Sequence, residues 1–552
     1  MSFVKTILWL IIAAALTLCG LLVPAHLRTI DPVTLRAAGE QGTSNGTKIK
    51  ESLNAAHTGP AKVLAQATGK MDQFATEIEA IQAERPTIAF IGGPDGSFES
   101  FASLLPETRL IAASSPPVVS LLLPLNERLT LVEQLKRSSN ANVEALLGIR
   151  ELKGMVQLHP ADHAAGAPYD SGLLTLAQLI ESGHIDPAWA DQMGGLANQA
   201  AVGNTQAIAA VEDLVMSTLS LGRKLDFRSL ANLADFNETL AGWADMATLY
   251  RAKPEKIPLL FTILHYEKQS RPLFEYLSEY PETGISDLQL ALEKGPAAIS
   301  LILKEALPIH ESTRLSEEIL KPIQSYRPDF FISLSITDRS AALGLKLAFF
   351  LASGLAIAFA MGAVWRGSSK TTNEIDYLNP AVLSRNICIS LAFTLLIWFT
   401  FEPDILKSDK DEVNSGPRIE FAVAGALESI QSPVKTMQDL NHVTLLVLLL
   451  FFIVQLVIYC FCLLKLKEIS KQMLSPMMKL QLLENEENLF DFGLYVGLGG
   501  TVLSLILVAV GIVEASLMAA YASTLFGILF VAILKVMHLR PYRRKLILQT
   551  GS

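Results

Sequence analysis

Near the C-terminus two apolar runs, Phe492 to Val513 and Leu517 to Met537, flank the short turn Val513-Glu514-Ala515-Ser516. A lipid-facing backbone must satisfy its own N–H and C=O groups, so an uncharged run of about 20 residues crosses a bilayer only as a helix. This hairpin closes a series. Earlier runs occupy Ala341 to Trp365, Asn386 to Phe401 and Val443 to Leu464, and a further one, Thr6 to Leu22, follows Lys5 at the N-terminus. The pattern predicts a mainly α, multi-pass membrane protein with five or six transmembrane helices, depending on whether the first is retained.

The hairpin carries a stripe of small and hydroxylated residues. Gly493, Gly497, Gly500 with Thr501, and Ser504 recur at helical spacing on its first helix, and Ala520, Thr524, Gly527 and Val531 on its second. Small residues let membrane helices approach closely, and hydroxyls bond across the contact. The same stripe also suits a polar-lined pore or a groove around a partner helix. Periodicity alone leaves both readings open.

Two segments of the stripe resemble a known family. Gly497-Leu498-Gly499-Gly500-Thr501-Val502 is similar to the GLxGTV that opens the second helix of TolQ and ExbB proteins. Ala520-Tyr521-Ala522-Ser523-Thr524-Leu525-Phe526-Gly527-Ile528-Leu529 resembles the corresponding third-helix motif and the GTFLGIL of MotA. The resemblance covers residues 443–545. It implies a proton-channel-like subunit whose threonines face the interior of a homo-oligomer, around a single-helix TolR-, ExbD- or MotB-like partner bearing a membrane aspartate. Carried over, it makes Thr501, Thr524, Gly497, Gly500, Ser504, Ala520 and Gly527 pore-lining. Ala519 stands where ExbB-like proteins often have a glutamate, and the loop Lys465 to Asp491 is shorter than the family's.

Residues 1–25 read as a signal anchor or signal peptide, since Val23-Pro24-Ala25 offers small residues for cleavage. In either case residues 26–340 are an exported, mostly α-helical domain. Arg28 to Arg85 favours helix around a flexible patch at Gly39 to Gly46, and Thr87 to Ile91 reads as a strand. The glycine loop Gly92-Gly93-Pro94-Asp95-Gly96-Ser97 that follows has neither GxGxxG order nor a P-loop lysine, so it reads as a turn. Ser115 to Pro124 reads as a connector or short strand. From Asn126 the apolar spacing is helical, and between Phe227 and Ile309 proline repeatedly opens short helices, as in stacked hairpins. His159-Pro160-Ala161-Asp162-His163 groups two histidines and an acid, but Pro160 breaks the helix that would align them and no further ligand is near in sequence. It reads as a solvated loop, not a metal site.

Charge orders the remainder. Forty-five basic against 54 acidic residues, with no dense basic stripe, gives no footing for nucleic acid. Cys19, Cys388, Cys460 and Cys462 all fall in apolar runs, so no disulfide framework or zinc spacing arises. Gly362 to Arg385 carries Arg366, Lys370 and Arg385, Leu464 to Asp491 carries Lys465, Lys467, Lys471 and Lys479, and the tail carries Lys535, Arg540, Arg543, Arg544 and Lys545, whereas Glu402 to His442 has eight acids against four bases. The positive-inside rule then places residues 26–340 and the loop 403–442 outside, and the C-terminus in the cytoplasm. The outer loop holds an amphipathic segment, Glu420 to Ile430. The membrane parts divide as a hairpin, 341–402, and a C-terminal domain, 443–552.

No titratable group falls mid-membrane, Lys346 and Glu514 lying at run ends where they reach the interface. No catalytic set or cofactor motif stands out, so an enzyme is not expected. The leading expectation is a channel-like bacterial inner-membrane subunit, its acid supplied by the partner helix. The alternative is a non-conducting envelope scaffold or receptor whose exported domain binds a protein.

Overall fold

The computed structural model describes residues 2–112, 115–150, 164–237, 239–310, 327–368, 380–402, 442–509 and 517–550. These are mainly helical, with no strand among them. They form two compact units, one of Met1–Thr34 with His310–Ser552, the other of Leu35–Ile309. Residues 26–34, 310 and 327–340 thus pack with the apolar helices of the first unit.

Among the described residues, six long apolar helices build the first unit: α1 Ser2–Leu22, α2 Arg339–Ser368, α3 Pro380–Phe401, α4 His442–Lys471, α5 Phe492–Ala509 and α6 Leu517–Ile533. Four stretches, Val4–Leu22, Arg339–Val364, Leu448–Lys471 and Tyr521–Gln549, are long and apolar enough to cross a membrane; Arg385–Phe401 and Phe492–Ile506 are shorter apolar helices. Neighbours run antiparallel in the order α1–α2–α3. Trp9 meets Phe359, the Thr17 and Ser353 hydroxyls lie 2.7 Å apart, and Ser353 also donates to the Ala13 carbonyl at 2.8 Å. Close approach decides the α2–α3 contact: a Cβ on Gly354 would stand 2.6 Å from the Ser390 Cα. The Ser390 hydroxyl donates to the Leu351 carbonyl at 2.6 Å.

Helix α4 continues past the apolar run to Lys471. Beyond the bilayer-length segment it joins helix Pro476–Asn485, a π-helix Leu534–Leu539 and the tail helix Arg540–Thr550. Leu466, Ile469, Leu483, Phe490, Leu539 and Leu546 close a second small core there, rimmed by ion pairs such as Lys535–Asp491 at 2.6 Å.

Unit Leu35–Ile309 is a stack of short helices. Pro258, Pro272 and Pro296 stand in the first turns of Ile257–Glu267, Arg271–Glu279 and Pro296–Glu305, where a missing N–H costs nothing. Three local expectations are corrected. Thr87 to Ile91 is helix Pro86–Ile91, opened by Pro86 and stopped by Gly92 at φ 92°. Five apolar residues are too few to separate a strand from a buried helix by period, and the prolyl start and glycyl stop decided. The patch Gly39 to Gly46 belongs mostly to helices Pro32–Gln41 and Asn45–Asn54, the second capped by Ser44. Gly39 is needed for space, since the Lys294 backbone leaves no room for a Cβ. Val118–Leu121, within the supposed connector, is helical. The motif His159 to His163, the segment Glu420 to Ile430 and the turn at 513–516 lie outside the described residues.

Candidate functional site

The stripe read from sequence is the seam between α5 and α6. A Cβ on Gly497 would come within 2.8 Å of the Ser523 carbonyl, and one on Gly527 within 2.7 Å of the Gly493 carbonyl. Backbone oxygens cannot yield as side chains do, so glycine sets the helix separation here. Gly500 is crowded by a side chain instead, the Ser523 hydroxyl. Where the backbones part, Thr501 and Thr524 meet with hydroxyls 2.6 Å apart. Thr501 also donates to the Gly497 carbonyl at 3.1 Å, and Thr524 lies 3.3 Å from that oxygen. Thr501 is 6% exposed; Thr524, Gly500 and Ser504 are half-buried, and Gly497 and Gly527 are buried. The side chain of Ala520 lies outside the description.

A polar group not singled out in the sequence completes this seam. Gln455 of α4 is 1% exposed and donates from Nε2 to the Gly493 carbonyl at 3.0 Å. Its Oε1 has no partner among the described residues and lies beside a cavity of about 10 Å³ lined by Tyr459, Cys462, Phe490 and Val531. A single glutamine inside the run Val443 to Leu464 was the available signal. The outward faces differ: Tyr495, Leu498 and Val502 of α5, and Tyr521, Leu525 and Ile528 of α6, are exposed and largely apolar.

The second concentration of polar groups was invisible in the sequence. Lys346 does not reach out to an interface; it is 3% exposed. Its Nζ donates to the Ala25 carbonyl at 2.7 Å and to Glu402, which closes α3. Glu402 also accepts from the Leu27 amide at 2.9 Å and lies 3.3 Å from His26 Nδ1. His26 Nε2 meets Asp31 at 3.1 Å, and Arg327 binds both Asp31 oxygens at 3.1 Å. Burial and the Lys346 ammonium push His26 down, but Glu402 and Asp31 outweigh them and raise its pKa. Asp31 is held below the usual carboxylate range: burial works against this, and His26 and Arg327 prevail. One network therefore ties the end of α1, the start of α2 and the end of α3. No group of three or more His, Cys, Asp or Glu among the described residues is placed to hold a metal ion.

The helical unit has its own buried titratable groups. His184 sits between Asp95 at 2.8 Å and Asp235 at 3.0 Å; burial opposes protonation, yet the carboxylates hold it at about 9. Burial lifts Asp226 to about 6 and depresses His57 and His265 to about 4. Groups raised on folding contribute stability that fades as pH rises through 6 and then 9. The depressed histidines contribute above their ordinary 6.5 and lose it as pH falls through about 4. Asp95, lowered mainly by His184 against its burial, adds to the acid-side loss. The unit is expected to be most stable near pH 6.5, where both kinds of contribution overlap. Thermal unfolding across the pH range checks this, and His184→Gln is expected to flatten the alkaline limb and to remove the part of the acid-side loss that Asp95 owes to His184.

No family model, curated protein or solved structure matches this chain. The TolQ, ExbB and MotA resemblance therefore rests on the motifs of residues 443–545 by themselves.

Proposed function

We propose that this protein is a non-conducting scaffold or receptor of the bacterial inner membrane, with six helices anchoring a helical domain that binds a partner outside the cytoplasm. The carrying observation is the closure of the glycine–hydroxyl stripe inside one chain. Thr501 and Thr524 spend their hydroxyls on each other and on the Gly497 carbonyl, while the faces left outward are largely apolar. Such faces suit lipid or a packed neighbour better than a water-filled lumen. The packing of α1 along α2 supports an uncleaved anchor. The meeting of α1, α2 and α3 ends in one network supports the alternating topology, with the basic tail in the cytoplasm.

A channel subunit of MotA, TolQ or ExbB type, oligomeric around a single-helix partner with a membrane aspartate, is the second reading. What favours it is that the two threonines matching the family motif lie at one level, in contact. Native mass in detergent and proton leak in liposomes separate the two. The scaffold reading expects no leak, and expects Thr501→Val with Thr524→Val to keep the fold, at a cost of about 0.6–1.5 kcal/mol. Five copies around a central cavity, with a leak that the valines abolish, would return the channel.

A further inference from the structure

The glycine loop set aside as a plain turn lies against a group of basic side chains in the helical unit. A Cβ on Gly93 would stand 2.7 Å from Arg228 Cγ and 3.0 Å from His57 Cδ2, so both side chains cross this glycine. His265, from helix Ile257–Glu267, is near enough for the charges of His57 and Arg228 to act on its ring. Among the described residues, three buried polar groups here have no hydrogen-bond partner: Arg228 Nε, His265 Nδ1 and the hydroxyl of Thr58, the fully buried neighbour of His57 in the chain. Among the described residues the Arg228 guanidinium makes a single, long hydrogen bond, 3.5 Å to the Pro94 carbonyl. No carboxylate pairs with Arg228 among the described residues. Asp226, two positions earlier, is instead packed against Gly59 and Gly92, accepts from the Ser229 amide at 2.8 Å and feels Lys62.

The Arg228 guanidinium and the Thr58 hydroxyl are donors in search of acceptors, and His265 Nδ1 becomes one when its ring is protonated. Buried donors are normally satisfied, and an arginine without a carboxylate matches a planar or tetrahedral oxyanion. We infer that Arg228, His57, His265 and Thr58 form a receiving site for a small doubly charged oxyanion, a free phosphate or sulfate or the phosphate group of an ester. This inference is independent of how the membrane helices are used.

Such an anion would also change the protonation of the site. Burial and the fields of Arg228, Lys48 and Lys268 keep His57 and His265 neutral near pH 6, with Asp226 the nearby carboxylate and Lys62 its counter-charge. A bound dianion favours both imidazolium forms, so binding takes up protons and strengthens as pH falls from 8 towards 5. Sulfate does not itself titrate there and is the cleaner probe.

The test is calorimetric titration of the full chain in detergent with inorganic sulfate, then inorganic phosphate, at pH 6 in two buffers of different ionisation heat. The expected result is saturable binding with proton uptake, weakened about tenfold or more by Arg228→Gln. Arg228→Lys is expected to recover part of the affinity, and His57→Asn with His265→Asn to remove the proton uptake. An unchanged unfolding midpoint assigns these losses to the site and not to misfolding. Glycerol phosphate and a short-chain phosphatidic acid, both phosphomonoesters, added in turn, distinguish a free ester from a lipid headgroup by which binds more tightly. Absence of saturable heat, or binding that Arg228→Gln leaves unchanged, overturns the proposal.

Discussion

Lys346→Met is expected to destabilise the unit of long apolar helices by about 3–5 kcal/mol, the usual cost of stranding a buried charge. The change removes the ammonium that Glu402 and the Ala25 carbonyl share, and Glu402 is only 2% exposed. His26 and the Leu27 amide still reach that carboxylate, so it stays charged with weaker company. The double change Lys346→Met with Glu402→Leu is expected to be closer to the parent than Lys346→Met alone, since neither charge is then left unpaired. Unfolding midpoints of the three variants in one detergent decide it. A single variant within about 1 kcal/mol of the parent would show that water reaches this network and that it does not hold the helix ends together.

The second large effect belongs to the helical unit. Asp170, fully buried in helix Ala167–Glu181, is bound by Arg150 through two hydrogen bonds of 2.7 and 2.9 Å. Arg128, itself 1% exposed, contacts the same carboxylate at 2.9 Å. Asp170→Ala leaves two guanidiniums around a hole, and a loss of about 3–5 kcal/mol is expected. Asp170→Asn keeps an acceptor and is expected to lose less. Denaturant titration followed by the fluorescence of the buried Trp189 and Trp243 reads both. An alanine variant as stable as the parent would mean that the arginines find other acceptors.

The sequence made the apolar helices legible because lipid imposes a length and an absence of charge that few other structures demand. The run Asn386 to Phe401 gains a turn at its start, as helix Pro380–Phe401, and Val443 to Leu464 extends into Lys471. The stripe was legible as a stripe, since glycine spacing reports close approach. Which surface it meets was not, because a helical neighbour and a lumen ask for the same spacing. Long-range polar partners left no trace at all. His26 and Glu402, or Arg128 and Asp170, are far apart in the chain, and each alone reads as an ordinary surface charge. Gly93 shows the converse: its loop lacks every nucleotide-binding signature, and only folding brings Arg228 beside it.

The π-helical turn Leu534–Leu539 has a consequence for everything downstream of α6. Residues five apart on an α-helix diverge by about 140°, so Leu534 and Leu539 would face different ways. Wider winding brings them into one direction, and both, with Leu546 a further seven positions on, enter the same small core. This single turn sets the angular phase of the tail. It decides that Arg543 faces Glu487, while Arg540, Arg544 and Lys545 are exposed. The end of the protein is thus aimed by winding, much as a keyway fixes a shaft, and not by the residues that happen to lie at its tip.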